Sequence, residues 1–154
     1  MTLEVAVQIA SEEDDLPDPE CIRTWVDTAV GDLREDAELT IRIVDEQESA
    51  ELNGRYRQKA GPTNVLSFPF ESPPGVTVSL LGDIVVCAPV VQREASEQSK
   101  SLNSHWAHMI VHGALHLLGY THERDEDAEE MEAKETHILG RLGFDNPYES
   151  RGVS

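Results

Sequence analysis

Residues 101–122 read SLNSHWAHMIVHGALHLLGYTH, without one Asp, Glu, Lys or Arg, in a chain that is 27% charged overall. Removing charge from water is costly and removing carbon is favourable, so a stretch this long and free of charge marks a buried element. Trp106, Met109, Ile110, Ala114, Leu117 and Leu118 recur at helical spacing and give a wide apolar face. Ser101 or Ser104 is placed to cap the start of the helix, and Gly119 to end it in the left-handed conformation.

Around this element the pattern alternates between strand and helix. Residues 3–10 place Leu3, Val5, Val7 and Ile9 on one face of a strand. Asp18 and Pro19 are placed to start a helix that carries Ile22, Trp25, Val26, Ala29 and Val30 on one stripe. Residues 38–44 alternate again as a strand, and Asp45 is expected to cap a short helix reaching about Tyr56. A basic loop broken by Gly61-Pro62 leads into a strand from Val65 to about Phe70, whose Pro69 predicts an edge position. The run LLGDIVVCA, residues 80–88, predicts a strand buried on both faces. Pro89 opens a helix to about Lys100, and an acidic helix spans residues 125–141. The order β-α-β-α-β-β-α-α-α predicts a single α/β (α+β) domain over residues 1–154, a small mixed four-stranded sheet packed with about five helices. The 154 residues suffice for one such core and not for two.

Five of the six histidines lie between positions 105 and 122. His112 and His116 are four apart and therefore neighbours on a helix, about 5–6 Å between Cβ atoms. Gly119 allows the chain to reverse so that His122 returns to the same point. The spacing matches the metzincin pattern H-E-x-x-H-x-x-G-x-x-H, with Gly113 where that pattern has its general base. Three imidazoles leave one position of a tetrahedral ion open, the arrangement of catalytic zinc. A bare H-x-x-x-H pair is more often a pair of hydrogen-bonded core histidines, and the added Gly119 and His122 favour the metal. His108 extends the row, but its end lies ~12 Å from His116 along the axis; it and His105 are expected to pack or support. Gly113 reads either as close packing or as space beside the metal. In both readings a metal hydrolase without a peptidase's glutamate is expected.

The formal net charge of −18 argues against a protein that coats nucleic acid with a broad basic surface and leaves room for a small local basic site. Three of the 12 basic residues, Arg55, Arg57 and Lys59, fall within five positions. A solvated loop is the plain reading; a phosphate site is the other, because guanidinium donates in pairs to phosphate oxygens. Cys21 and Cys87 are expected to be two unlinked buried thiols in a reducing, cytoplasmic setting. The N-terminus lacks the basic start of a signal peptide, and no apolar run approaches a membrane span. The acids after His122 read as a solvated helix face.

The segments LNGRYRQKAGPTNVLSFPF, LLGDIVV and HGALHLLGYTHERDEDAEEMEAKE, in that order, closely resemble the bacterial YbeY family of rRNA maturation endoribonucleases, from about Leu52 to Tyr148. The resemblance implies a small sheet with helices around a central His-bearing helix. It implies a metal-dependent, single-strand-specific endoribonuclease of 16S rRNA 3′-end processing and ribosome quality control. It implies one zinc-like ion on His112, His116 and His122, and the required arginine at Arg57; Lys59 is expected to bind the strand. The implied partners are rRNA and the small ribosomal subunit, with a ribosome-assembly GTPase and a small-subunit ribosomal protein as candidate protein partners and no membrane. Thr121 and Ala60 stand where the family often has Asp, and neither change removes a site residue. Two alternatives stand beside this reading: a small zinc peptidase, and a non-catalytic, metal-stabilised ribosome-assembly factor.

Overall fold

A computed structural model describes residues 2–148 of the protein, apart from Asp32, Glu35 and Thr77. Along it run β1 (Thr2–Ala10), α1 (Pro19–Val30), β2 (Asp36–Val44), α2 (Glu46–Arg57), β3 (Val65–Pro69), β4 (Leu80–Cys87), α3 (Ala88–Glu97), α4 (Leu102–Leu117) and α5 (Asp125–Arg141). This is the element order expected from the sequence. The strands form one mixed sheet in the order β1-β2-β4-β3, with β1, β2 and β4 parallel and β3 antiparallel to β4. Pro69 closes the edge strand β3, where its missing N–H deprives no second neighbour.

One sheet face carries the main core. Leu39, Ile41 and Ile43 of β2 and Ile84 and Val86 of β4 meet α1 and α4 there, and Met131, Ile138 and Leu139 of α5 complete the cluster. Helix α4 touches α1, α3, α5, β3 and β4, so the charge-free segment is the centre of the molecule. Its Trp106, Ile110, Ala114 and Leu115 are 0% exposed. Burial of side chains the size of Ile or Leu stabilises by about 1.5–3 kcal/mol each. The second face is covered only in part, by Leu52 of α2 and Val90 of α3 over Leu66, Val85 and Cys87.

That partial cover corrects one expectation. β4 is buried on both faces only toward its C-terminal end; Leu80 and Asp83 are exposed, and Asp83 lines an open cavity with Leu52 and Tyr56 of α2. A second correction concerns Asp45, which occupies the N-cap of α2 but makes no capping bond. Its carboxylate instead accepts from the Ser11 hydroxyl and, at 3.0 Å, from the Glu12 amide, tying α2 to the β1–α1 loop. Asp18 does cap α1, accepting from the Glu20 amide at 2.9 Å. A third correction concerns the thiols. Both are free, but only Cys87 is buried, and Cys21 faces outward on α1. Among the described residues no helix is long and apolar enough to cross a membrane.

Candidate metal centre

Helix α4 ends as its sequence requires. Gly119 has φ +103°, in the region open to glycine. Its N–H donates to the His116 carbonyl at 3.1 Å, and the Tyr120 N–H donates to the Leu115 carbonyl at 3.0 Å. This pair of bonds is the Schellman ending, which turns the chain sharply and satisfies two orphaned carbonyls. The reversal brings His122 back beside the helix. One ring nitrogen each from His112, His116 and His122 lies within 4.8 Å of the others. The ring centroids are 4.6, 5.0 and 5.7 Å apart.

The hydrogen bonds on the outer nitrogens decide what the inner ones can do. His116 Nδ1 lies 3.0 Å from the Tyr120 carbonyl, which can only accept, so Nδ1 carries the proton. His112 Nδ1 lies 3.1 Å from Glu135 Oε1. Burial alone would raise the Glu135 carboxyl, but hydrogen bonds from His108 and His112 outweigh it and hold the group at about 2. It is therefore an ionised acceptor, and His112 Nδ1 also carries the proton. Burial, followed by the neighbouring His112 and His122, lowers His116 to about 4, so its ring is neutral at pH 7. A neutral imidazole has one N–H. With both Nδ1 atoms turned to acceptors, the Nε2 atoms of His112 and His116 face one another at 3.1 Å, and in the neutral rings both would present lone pairs to one point. A cation placed between two neutral rings would accept both lone pairs. Tetrahedral ligation at ~2.0–2.1 Å places two nitrogens roughly 3.3 Å apart. The donor set therefore fits a zinc-like ion, with exposed His122 as the adjustable third ligand.

Gly113 is resolved in favour of close packing. A Cβ there would lie 2.8 Å from Ile84 Cγ2 and 3.2 Å from Ser67 Oγ. Its carbonyl accepts from the Ser67 hydroxyl at 3.2 Å. The position faces the sheet and leaves no room for a catalytic side chain.

His105 and His108 lie outside the three-histidine cluster, the place the sequence reading gave them. His105 is 2% exposed and bonds Glu94 at 2.9 Å. Burial lowers its pKa, with Glu94 acting in the opposite direction. Glu94 also accepts from Asn64 Nδ2 at 3.1 Å, which links α3 and α4 to the start of β3. His108 Nε2 lies 2.8 Å from Glu135. Sequence reading missed Glu135, Tyr148 and Glu94. A signal existed for the first: Glu135 stands in helical register with Met131, Ile138 and Leu139 on the buried face of α5. The other acids of this segment do form a solvated face, with Glu123, Asp125, Glu126, Glu129 and Glu130 exposed.

The basic segment is half helix and half loop. Arg55 and Arg57 lie in the last turn of α2, where cations complement the helix dipole. Gln58 turns left-handed at φ 56°, and exposed Lys59 follows it. Two buried side chains of α2 hold the loop: Ser49 exchanges bonds of 3.0 Å with the backbone of Thr63, and Asn53 Nδ2 donates to the Gly61 carbonyl at 2.9 Å. Tyr56 packs on Phe68 of β3 with ring centroids 5.1 Å apart. The adjacent Ser67 points through the sheet to α4. The end of α2 and the histidine helix therefore flank the same edge strand. Successive residues of β3 face opposite sides of the sheet, so the end of α2 lies on the side away from α4; Arg57 and Lys59 are exposed, and among the described residues no hydrogen bond or ion pair joins either to the histidine triad.

A family model described as Endoribonuclease YbeY matches residues 7–143. Among solved structures, the chain is similar to the solution structure of TM1509 from Thermotoga maritima, at 25% identity and a TM-score of 0.59, over 93% of this chain and 99% of that one.

Proposed function

The chain belongs to the YbeY endoribonuclease family, and from that premise we propose that it is a metal-dependent, single-strand-specific endoribonuclease of small-subunit rRNA. On this reading it matures the 16S rRNA 3′ end and serves ribosome quality control. His112, His116 and His122 hold one zinc-like ion. The observation that supports the metal reading is the convergence of one ring nitrogen each from His112, His116 and His122 within 4.8 Å, with the Nδ1 atoms of the first two turned to acceptors outside the cluster.

A divalent ion held there supplies Lewis-acid polarisation of the scissile phosphodiester. Arg57 binds that phosphate through paired N–H donors and stabilises the charge that develops on its oxygens. Lys59, a point charge on a flexible stem, steers the strand toward the site. Ser49 and Asn53 hold the loop that carries Lys59. The attacking oxygen comes from water or from the ribose 2′-hydroxyl, and the termini of the cleaved strands distinguish the two. With a net charge of −18 the chain has weak intrinsic attraction for RNA. A small-subunit protein or a ribosome-assembly GTPase therefore delivers the site to its substrate.

Arg57→Ala tests the division of roles. It should abolish cleavage of a single-stranded RNA while one equivalent of metal is retained, with duplex RNA resistant throughout. Loss of the metal in that variant would contradict the assignment. Digestion of casein in preference to RNA would restore the peptidase alternative, against which the packing at Gly113 argues. Full rRNA 3′-end maturation by a His116→Ala protein would restore the non-catalytic one.

A further inference from the structure

Glu135 is 1% exposed, yet donors from α4 and from the C-terminal segment converge on its carboxylate. His108 Nε2 lies 2.8 Å and His112 Nδ1 3.1 Å from Oε1. The Tyr148 hydroxyl is 3.0 Å from Oε1 and 2.9 Å from Oε2. Burying a carboxylate is expensive, and an apolar side chain would complete the α5 stripe of Met131, Ile138 and Leu139 at lower cost. What a carboxylate alone provides is two oxygens that only accept, enough for three donors at once. An amide would keep one such oxygen and replace the other with an N–H donor.

We propose that Glu135 and Tyr148 are positioning residues for the metal centre: Glu135 fixes His112 as the Nδ1–H tautomer with Nε2 presented to the ion, and the Tyr148 hydroxyl holds the carboxylate in place. The inference rests on the histidine triad being a metal site. The cluster of His108, His112, Glu135 and Tyr148 is built from three separate parts of the chain. Past α5 the backbone returns toward the start of α4, where Lys100 Nζ donates to the Pro147 carbonyl at 3.2 Å. The Tyr148 N–H donates to Asn146 Oδ1 at 2.8 Å, and the Tyr148 ring meets His108 edge-on at 5.4 Å. His108 fills the remaining donor place on Glu135, and its own Nδ1 is buried with no hydrogen-bond partner among the described residues. That arrangement suits a residue whose task is to donate to Glu135. Docking of residues 145–148 is thereby coupled to the ring orientation of a ligand.

The test is Zn²⁺ affinity, measured by competition with a chromophoric chelator, together with the imidazole ¹⁵N shifts of His112 in the metal-free protein. Three variants are compared: Glu135→Gln, Tyr148→Phe, and Ile138→Ala, which empties a neighbouring buried position of α5 outside the polar cluster. Affinity should fall about 10–100-fold in Glu135→Gln and about 2–10-fold in Tyr148→Phe. It should be unchanged in Ile138→Ala, although that variant is less stable. His112 should be Nδ1-protonated in the unsubstituted protein and mixed in Glu135→Gln. If Glu135→Gln does not fold, Tyr148→Phe carries the test alone. Full affinity in the polar variants, or an equal loss in Ile138→Ala, would overturn the inference while leaving the metal site standing. No Zn²⁺ binding by the unsubstituted protein would overturn the triad reading beneath it.

Discussion

Placing Glu at position 113 would restore the H-E-x-x-H spacing of a zinc peptidase, but the side chain would begin 2.8 Å from Ile84 Cγ2 on the helix face turned to the sheet. Overpacking of this kind costs ~1–3 kcal/mol, and a buried carboxylate without partners adds to it. Gly113→Glu should therefore lose at least about 2 kcal/mol in urea titration and gain no activity on casein. Unchanged stability would mean that α4 lies further from β4 than described. The convergence of the three histidines was legible because they are spaced four and six apart, within a helix and its turn. The groups that set their protonation were not. Glu135 is 23 residues from His112, and its acidic neighbours on α5 hide the one buried acid among solvated ones. Gly113 was ambiguous for a similar reason, since what it touches comes from two strands far earlier in the chain.

Each element could be read from its own period, because alternation and 3.6-residue stripes are local properties. The errors at this scale all depend on what another element covers. Cys21 lies on the outward side of α1, Asp45 turns from its cap toward the β1–α1 loop, and Leu80 and Asp83 of β4 stay exposed. Helix α2 has a weak apolar stripe and is fixed instead by buried Ser49 and Asn53, which hold the loop over residues 58–63. Asn53→Ala removes the bond to Gly61, worth about 0.5–1.5 kcal/mol. Amide exchange across residues 58–63 should speed up, and single-stranded RNA should bind more weakly, with metal affinity unaffected. Unchanged exchange in that loop would show that Asn53 does not order it.

Over the whole molecule, charge sets two further expectations. Only Arg55, Arg57 and Lys59 form a local basic cluster in a chain of net charge −18. Each phosphate contact contributes about −0.7 to the slope of log affinity against log salt for a single strand, so the isolated protein should show a slope no steeper than about −2. A much steeper slope would require a basic surface that the cluster does not supply. The second expectation concerns the metal-free protein. His105 and His116 titrate below their ordinary 6.5 in the fold, His116 at about 4. As pH falls below 6.5 the unfolded chain takes up these protons first, so stability drops between about pH 6.5 and 4. Glu135, held at about 2 against an ordinary 4.5, adds a further loss only below pH 4.5. Urea midpoints should be lower at pH 5 than at pH 7.5; equal midpoints would contradict buried neutral histidines. The central claim, that His112, His116 and His122 hold one ion needed for RNA cleavage, is tested most directly by titrating Zn²⁺ into metal-free protein while following cleavage of a single-stranded RNA. The rate should be near zero without the ion, rise linearly, and break at one equivalent per chain. Cleavage at full rate by the metal-free protein would contradict it.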